Sequence, residues 1–204
     1  MKDLETGSLW SHILGEAMRG PLKGQKLQIL PGIVMTWDEW RTMHPHTTVW
    51  IMERKPLDFA INTLRAGEKY VYGVRIGTQA KAWDYSYLRQ HPVIEESIEN
   101  HPIWVVHEKD SGFTRIYSRF LQNQVLNLVS QDDHMLTVLS SDGTLWDLKS
   151  GIALEGPLKG EILTIKPGII SFASSWRFFY PASLYNAEKV AEESEFQGMG
   201  DTRN

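Results

Sequence analysis

Apolar and polar positions along the chain change in short runs, and they predict strands more often than helices. Tyr70 to Ile76 (YVYGVRI) and Gln79 to Trp83 (QAKAW) flank Gly77-Thr78, which predicts a β-hairpin. Ile103 to His107 and Phe113 to Ser118 flank Glu108 to Gly112 and predict a second one. Further strands are predicted at Val125 to Val129, Met135 to Leu139, Ile162 to Ile165 and Ile169 to Phe172, with an Asp142-Gly143 turn leading into Thr144 to Asp147. Helical spacing is confined to short stretches. Leu57, Ala60, Ile61 and Leu64 predict an amphipathic helix within Pro56 to Ala66 that Gly67 ends. Asp84 is placed to cap a helix through Tyr85 to Arg89. Thr36-Trp37-Asp38-Glu39 has the capping-box pattern, and that helix ends by Pro45. Its counterpart is expected to be capped by Ser174 or Ser175 and to end at Pro181. The resulting fold class is mainly β with short helices (α+β).

An internal repeat organises these elements. Gly7 to Pro45 aligns without a gap on Gly143 to Pro181 at a constant offset of 136, with about 18 of 39 positions identical. Gly20-Pro21-Leu22-Lys23-Gly24 recurs as Gly156-Pro157-Leu158-Lys159-Gly160, Leu9-Trp10 as Leu145-Trp146, and Trp40-Arg41 as Trp176-Arg177. An offset this long is that of a duplicated, domain-sized unit rather than a solenoid. The shared residues Gly20, Pro21, Gly24, Gly156, Pro157, Gly160, Trp146 and Trp176 are types that fix turns and fill cores, so they are expected to be structural. The reading divides the chain into residues 1–50, the C-terminal part of an incomplete first unit; 51–69, an inter-repeat helix or linker; 70–186, a complete second unit; and 187–204, an acidic tail.

Composition narrows the chemistry. With 204 residues, 42% of them hydrophobic and 23% charged, the chain can bury a substantial core. It has no cysteine, which removes disulfides, thiolate nucleophiles and cysteine-type zinc sites. A formal net charge of −4 argues against nucleic-acid binding by phosphate neutralisation. No apolar run is long enough to span a membrane, and the first residues have no signal-peptide pattern.

Candidate sites follow from residues that the repeat does not require. His12, His44 and His46 in the first copy are replaced by Leu148, Tyr180 and Ala182 in the second, which makes them candidate metal ligands. Eight tryptophans are expected to fill cores, or to form a stacking platform for a sugar or aromatic ligand, with Trp10, Trp37 and Trp40 as candidates. Lys23 and Lys159, each on a glycine-bounded turn, are candidate anion contacts, although neither turn has phosphate-loop spacing. Glu95, Glu96 and Glu99 form an acidic cluster expected on a polar helix or loop facing water. There is no Gly-x-Ser-x-Gly elbow, and no catalytic residue or cofactor is implied.

Leu4-Glu5-Thr6-Gly7-Ser8-Leu9-Trp10, Thr36-Trp37-x-x-Trp40, His44-Pro45-x-Thr47, Gly73-Val74-Arg75-Ile76-Gly77-x-x-Ala80-Lys81-Ala82 and Trp176-x-x-Phe179-x-Pro181 together resemble the bacterial domain-of-unknown-function family numbered 3179, over roughly Asp3 to Tyr185. The resemblance implies larger relatives with two such units, many of them exported or membrane-anchored. It also implies a cysteine-containing segment ahead of the first motif, and the matching place here, Trp104 to Lys109, has no cysteine. The functional expectation is a non-catalytic interaction or small-ligand-binding domain. The alternatives are a metal-binding protein using the first-copy histidines and a Trp-rich carbohydrate-binding or hydrolytic protein. An incomplete first unit would also leave an unpaired strand edge, through which self-association is expected.

Overall fold

The computed structural model describes residues 1–33, 35–49, 70–132 and 136–187. In chain order the elements are β1 (Leu9–Ser11), β2 (Glu16–Arg19), α1 (Trp37–Met43), β3 (Tyr70–Ile76), β4 (Gln79–Asp84), α2 (Tyr85–Leu88), β5 (Val93–Ile98), β6 (His101–His107) and β7 (Thr114–Ser118). They continue with β8 (Phe120–Leu121), β9 (Gln124–Val125), β10 (Leu128–Asp132), β11 (Thr137–Ser140), β12 (Leu145–Asp147), β13 (Ile152–Glu155), β14 (Ile165–Lys166), β15 (Ile169–Phe172), α3 (Ala173–Phe179) and β16 (Leu184–Tyr185). The protein is mainly β with a few short helices. The expected helix within Pro56 to Ala66 and the tail after Ala187 lie outside the described residues.

Three four-stranded sheets, ordered β10-β11-β12-β13, β14-β7-β6-β5 and β15-β3-β4-β16, stack around two apolar cores. Between the first and the middle sheet lie Trp104, Val106 and Tyr117, packed with Val138, Trp146 and Leu148. Between the middle and the third sheet lie Ile103, Val105 and Ile116, packed with Tyr72, Val74 and Trp83. The middle sheet is thus covered on both faces, which is why Ile103 to Val106 reads as an unbroken apolar run rather than as an alternation. Alternation returns in β4, where Ala80 and Ala82 face outward and Lys81 and Trp83 inward.

The outward face of β3 and β4 carries small residues because Trp176 of α3 packs there. A Cβ on Gly73 would fall 2.4 Å from the Trp176 ring, so only glycine fits under it. Trp176 is fully buried, and its Nε1 donates to Ser183 Oγ at 2.7 Å. Phe172 occupies the N-cap of α3, so the helix starts ahead of the expected Ser174 or Ser175: β15 runs straight into it and leaves no loop for a serine cap. Asp84 stands at the N-cap of α2 as expected but makes no capping bond there, because its carboxylate instead accepts from Asn186 Nδ2 at 2.8 Å. The capping box on α1 forms: Thr36 accepts from the Glu39 N–H, and its hydroxyl donates to the Glu39 carboxylate at 2.9 Å.

The two stretches that align in sequence also hydrogen-bond alike. β1 pairs β2 as Trp10↔Ala17, and β12 pairs β13 as Trp146↔Ala153, each with an irregularity one residue earlier. Gly24 N–H donates to Ala17 O at 2.8 Å, and Gly160 N–H to Ala153 O at 2.9 Å. Gly20 and Gly156, at φ 98° and 96°, sit where a Cβ would strike Ser8 and Gly143 respectively. The settings of the two stretches differ. β14 and β15 pair with β7 and β3, whereas residues 25–33 contribute only a bridge from Lys26 to Glu16 of β2, form no strand of their own and leave Leu27, Ile29 and Leu30 exposed.

Candidate functional site

A cleft of about 900 Å³ opens at the end of the interface between the middle and third sheets, where β4 faces β5. Lys81 reaches its floor because it shares the inward face of β4 with Trp83, and it is buried and ion-paired with Glu96 of β5. Its ammonium also lies 5.9 Å from the centre of the Trp83 ring. Thr78, Gln79, Ser97 and Asn100 bring polar groups to the walls. Glu99 accepts from both the hydroxyl and the N–H of Thr78, and these bonds hold its carboxyl below the ordinary carboxylate range.

Behind the floor, Arg119 joins several segments. Its guanidinium donates to the carbonyls of Leu126 at 2.8 Å, Ile103 at 3.1 Å and Glu96 at 3.2 Å, and to Asn127 Oδ1 at 3.1 Å. Glu95 lies 3.3 Å from it and also accepts from Trp104 Nε1 at 3.1 Å. Burial pulls the Arg119 pKa below its ordinary value while Glu95 opposes the shift. The acidic cluster expected on a solvent-facing helix or loop therefore lies on and next to a strand. Glu95 and Glu96 are in β5, paired with Arg119 and Lys81, and Glu99 follows it. The misreading has a physical cause: Val93 and Ile98 anchor β5 at its ends, and four polar or half-exposed residues between them hide the strand pattern.

A second buried polar group lies at the end of β6, on the face of Ile103 and Val105, where its ring meets that of Tyr85. His107 is 2% exposed, with Nδ1 2.9 Å from Thr114 Oγ1. Thr114 donates its own hydroxyl hydrogen to Gly112 O, so its oxygen accepts from Nδ1–H, and Nε2 keeps a lone pair with no partner among the described residues. Burial, with Arg89 nearby, lowers the His107 pKa to about 4.

The candidates singled out by sequence are spread over the surface and the cores. His12 lies in the turn after β1 and His44 at the end of α1, with its ring 4.2 Å from that of Trp40; both are exposed, as is His46. Among the described residues no group of three or more metal-ligating side chains is brought together. Trp10 is half-buried and donates to Asp3 Oδ2 at 2.8 Å, Trp40 donates to Thr47 Oγ1 at 2.9 Å, and Trp37 is exposed. Trp83, Trp104, Trp146 and Trp176 are fully buried, as core packing requires. Lys23 and Lys159 are exposed on their turns. Sequence reading missed Lys81 and Arg119. The available signal was a lysine on the core-facing side of Ala80-Lys81-Ala82-Trp83.

No curated protein and no solved structure matches the chain. The sequence model of one family, described as a protein of unknown function, DUF3179, matches residues 1–60 and again 60–183, which together cover most of the chain. By that coverage the chain belongs to the DUF3179 family.

Proposed function

We propose that the protein is a non-catalytic binding module that holds a small polar molecule in the cleft between β4 and β5. The observation that carries this reading is the buried Lys81–Glu96 ion pair on the floor of a cleft of about 900 Å³. A buried ion pair contributes little net stability, because desolvation offsets the Coulombic attraction. Charged groups on the floor of a concave site are instead characteristic of ligand pockets, which converge a few fixed polar groups. Three carboxylates and two cations line this cleft, so a ligand bearing amine or hydroxyl donors suits it best. A binding role is favoured over catalysis because the Lys81 ammonium is committed to Glu96 and offers no lone pair for attack. The same proposal places the site in a unit that repeats within the chain, with residues 1–50 as a partial first copy; the matching registers of β1–β2 and β12–β13 support it.

A thermal-shift screen of amines, amino acids and polyols tests the reading. Ser97, exposed on β5 and lining the cleft, gives an occluding variant, Ser97→Trp, that leaves the ion pair intact. A compound that raises the melting temperature of the native chain should lose its effect in Ser97→Trp. A screen with no stabilising compound, or one whose shifts persist in the occluded variant, overturns the proposal.

A further inference from the structure

A separate, more enclosed cleft of about 310 Å³ lies where the β1–β2 segment meets β3 and the end of α3. Leu14, Gly15, Lys26 and Ile29 line one side; Arg75 and Tyr180 line the other. Its charge is one-sided. Two cations and no carboxylate line it, and neither Lys26 nor Arg75 has an ion-pair partner among the described residues. The Tyr180 hydroxyl is already committed, donating to Ile13 O at 3.0 Å, so the phenol ring acts as a fixed wall.

The aligned position in the second stretch shows what such a cleft accommodates. Gly15 aligns with Gly151, and the two share their local geometry: φ is 61° and 78°, their N–H groups donate to Ser11 and Asp147, and their carbonyls accept from Leu27 and Leu163. Over Gly151 lies the fully buried ring of Tyr117, whose Cε1 would be 2.8 Å from an added Cβ and whose hydroxyl would be 3.2 Å from it. Arg115 stands beside that ring, with its guanidinium 5.8 Å from the ring centre. At Gly15 the nearest atoms among the described residues belong not to a ring but to the side chain of Ile29, 45% exposed, and to the Leu27 carbonyl. The protein thus contains one filled example of this arrangement, an aromatic ring on a glycine with a cation at its edge. In the second example the glycine and the cations are present, and among the described residues no ring atom is one of the glycine's nearest neighbours.

We infer that this cleft binds a small aromatic carboxylate, its ring over Gly15 and its carboxylate between Lys26 and Arg75. A guanidinium forms paired hydrogen bonds with a carboxylate, the lysine adds a point charge, and the volume is at the lower end of ligand sites, about 300 Å³.

The test is calorimetric titration of the full chain with 4-hydroxyphenylacetate, run alongside cyclohexylacetate and inorganic phosphate. Saturable binding of the aromatic acid is expected, with at least tenfold weaker binding of the other two. Arg75→Gln and Lys26→Gln, both at exposed positions, should each weaken it about tenfold, and Ile29→Trp, which fills the space over Gly15, should abolish it. Circular dichroism confirms that each variant is folded. No saturable binding at millimolar probe, or an Arg75→Gln variant with unchanged affinity, overturns the inference. Phosphate binding as tightly as the aromatic acid reduces the site to an anion patch and overturns it equally.

Discussion

Replacing Gly73 by alanine tests a close contact between the third sheet and α3. The new Cβ would fall 2.4, 2.5 and 2.6 Å from three carbons of the Trp176 ring. Carbon atoms attract best at about 3.5–4.0 Å, so the ring must retreat by roughly 1 Å or more. It has little freedom to do so, since it is fully buried and tethered by its Nε1 bond to Ser183. Overpacking of this kind costs about 1–3 kcal/mol. A glycine inside a strand is itself unfavourable, so the same substitution returns about 0.5–1 kcal/mol of backbone entropy. The net expectation for Gly73→Ala is a loss of about 1–2 kcal/mol. In a Trp176→Leu background, itself destabilised by about 3 kcal/mol, the clash is gone and Gly73→Ala should become neutral or stabilising by about 0.5 kcal/mol. The double-mutant cycle therefore predicts a coupling of about 1.5–2.5 kcal/mol. Urea unfolding followed by far-ultraviolet circular dichroism reads it, since eight tryptophans would blur a fluorescence signal. The same change in stability in both backgrounds would refute the packing argument.

Two further perturbations probe the buried polar groups. Between about pH 6.5 and pH 4 the unfolded chain binds a proton on His107 that the native chain does not, so stability should fall as pH is lowered through that window, by up to ~3 kcal/mol; His107→Gln should flatten this slope, and an unchanged slope counts against the assignment. Arg119→Met removes the donors to the carbonyls of Glu96, Ile103 and Leu126 and should cost ~3 kcal/mol or more, with Arg119→Lys recovering only part because an ammonium cannot reproduce the planar fork; a thermal unfolding shift near zero for Arg119→Met would remove Arg119 from the frame of the fold.

Local chemistry was legible in the sequence, and chemistry assembled across sheets was not. The β3–β4 hairpin follows from two β-rich runs around Gly77-Thr78, and α1 from its capping box, because both signals lie within a few residues. The repeat made the turns at Gly20 and Gly156 readable for the same reason. Lys81 and Glu96 are 15 residues apart in the chain, and Glu95 and Arg119 are 24, so their pairing depends on how the strands lie against each other. Charge pattern alone assigned those glutamates to solvent. The partner of Trp176 was equally hidden, since nothing in Tyr72-Gly73-Val74 says which ring will cover the glycine. At Ser174 and Ser175 a sound local rule failed because β15 passes directly into α3.

The double coverage of the middle sheet also sets the order in which the molecule opens. Ile103, Trp104, Val105 and Val106 of β6 are fully buried, with β5 on one edge and β7 on the other. Their amide hydrogens can reach water only after a whole outer layer has come away, whereas β8–β9 and the segment ahead of α1 are held by far fewer neighbours. Deuterium should therefore enter from the two outside layers inward and reach β6 last, at a rate fixed by global unfolding. The fully buried stretch of β6 is in this sense the clock of the whole protein, and a substitution anywhere in the frame should register there.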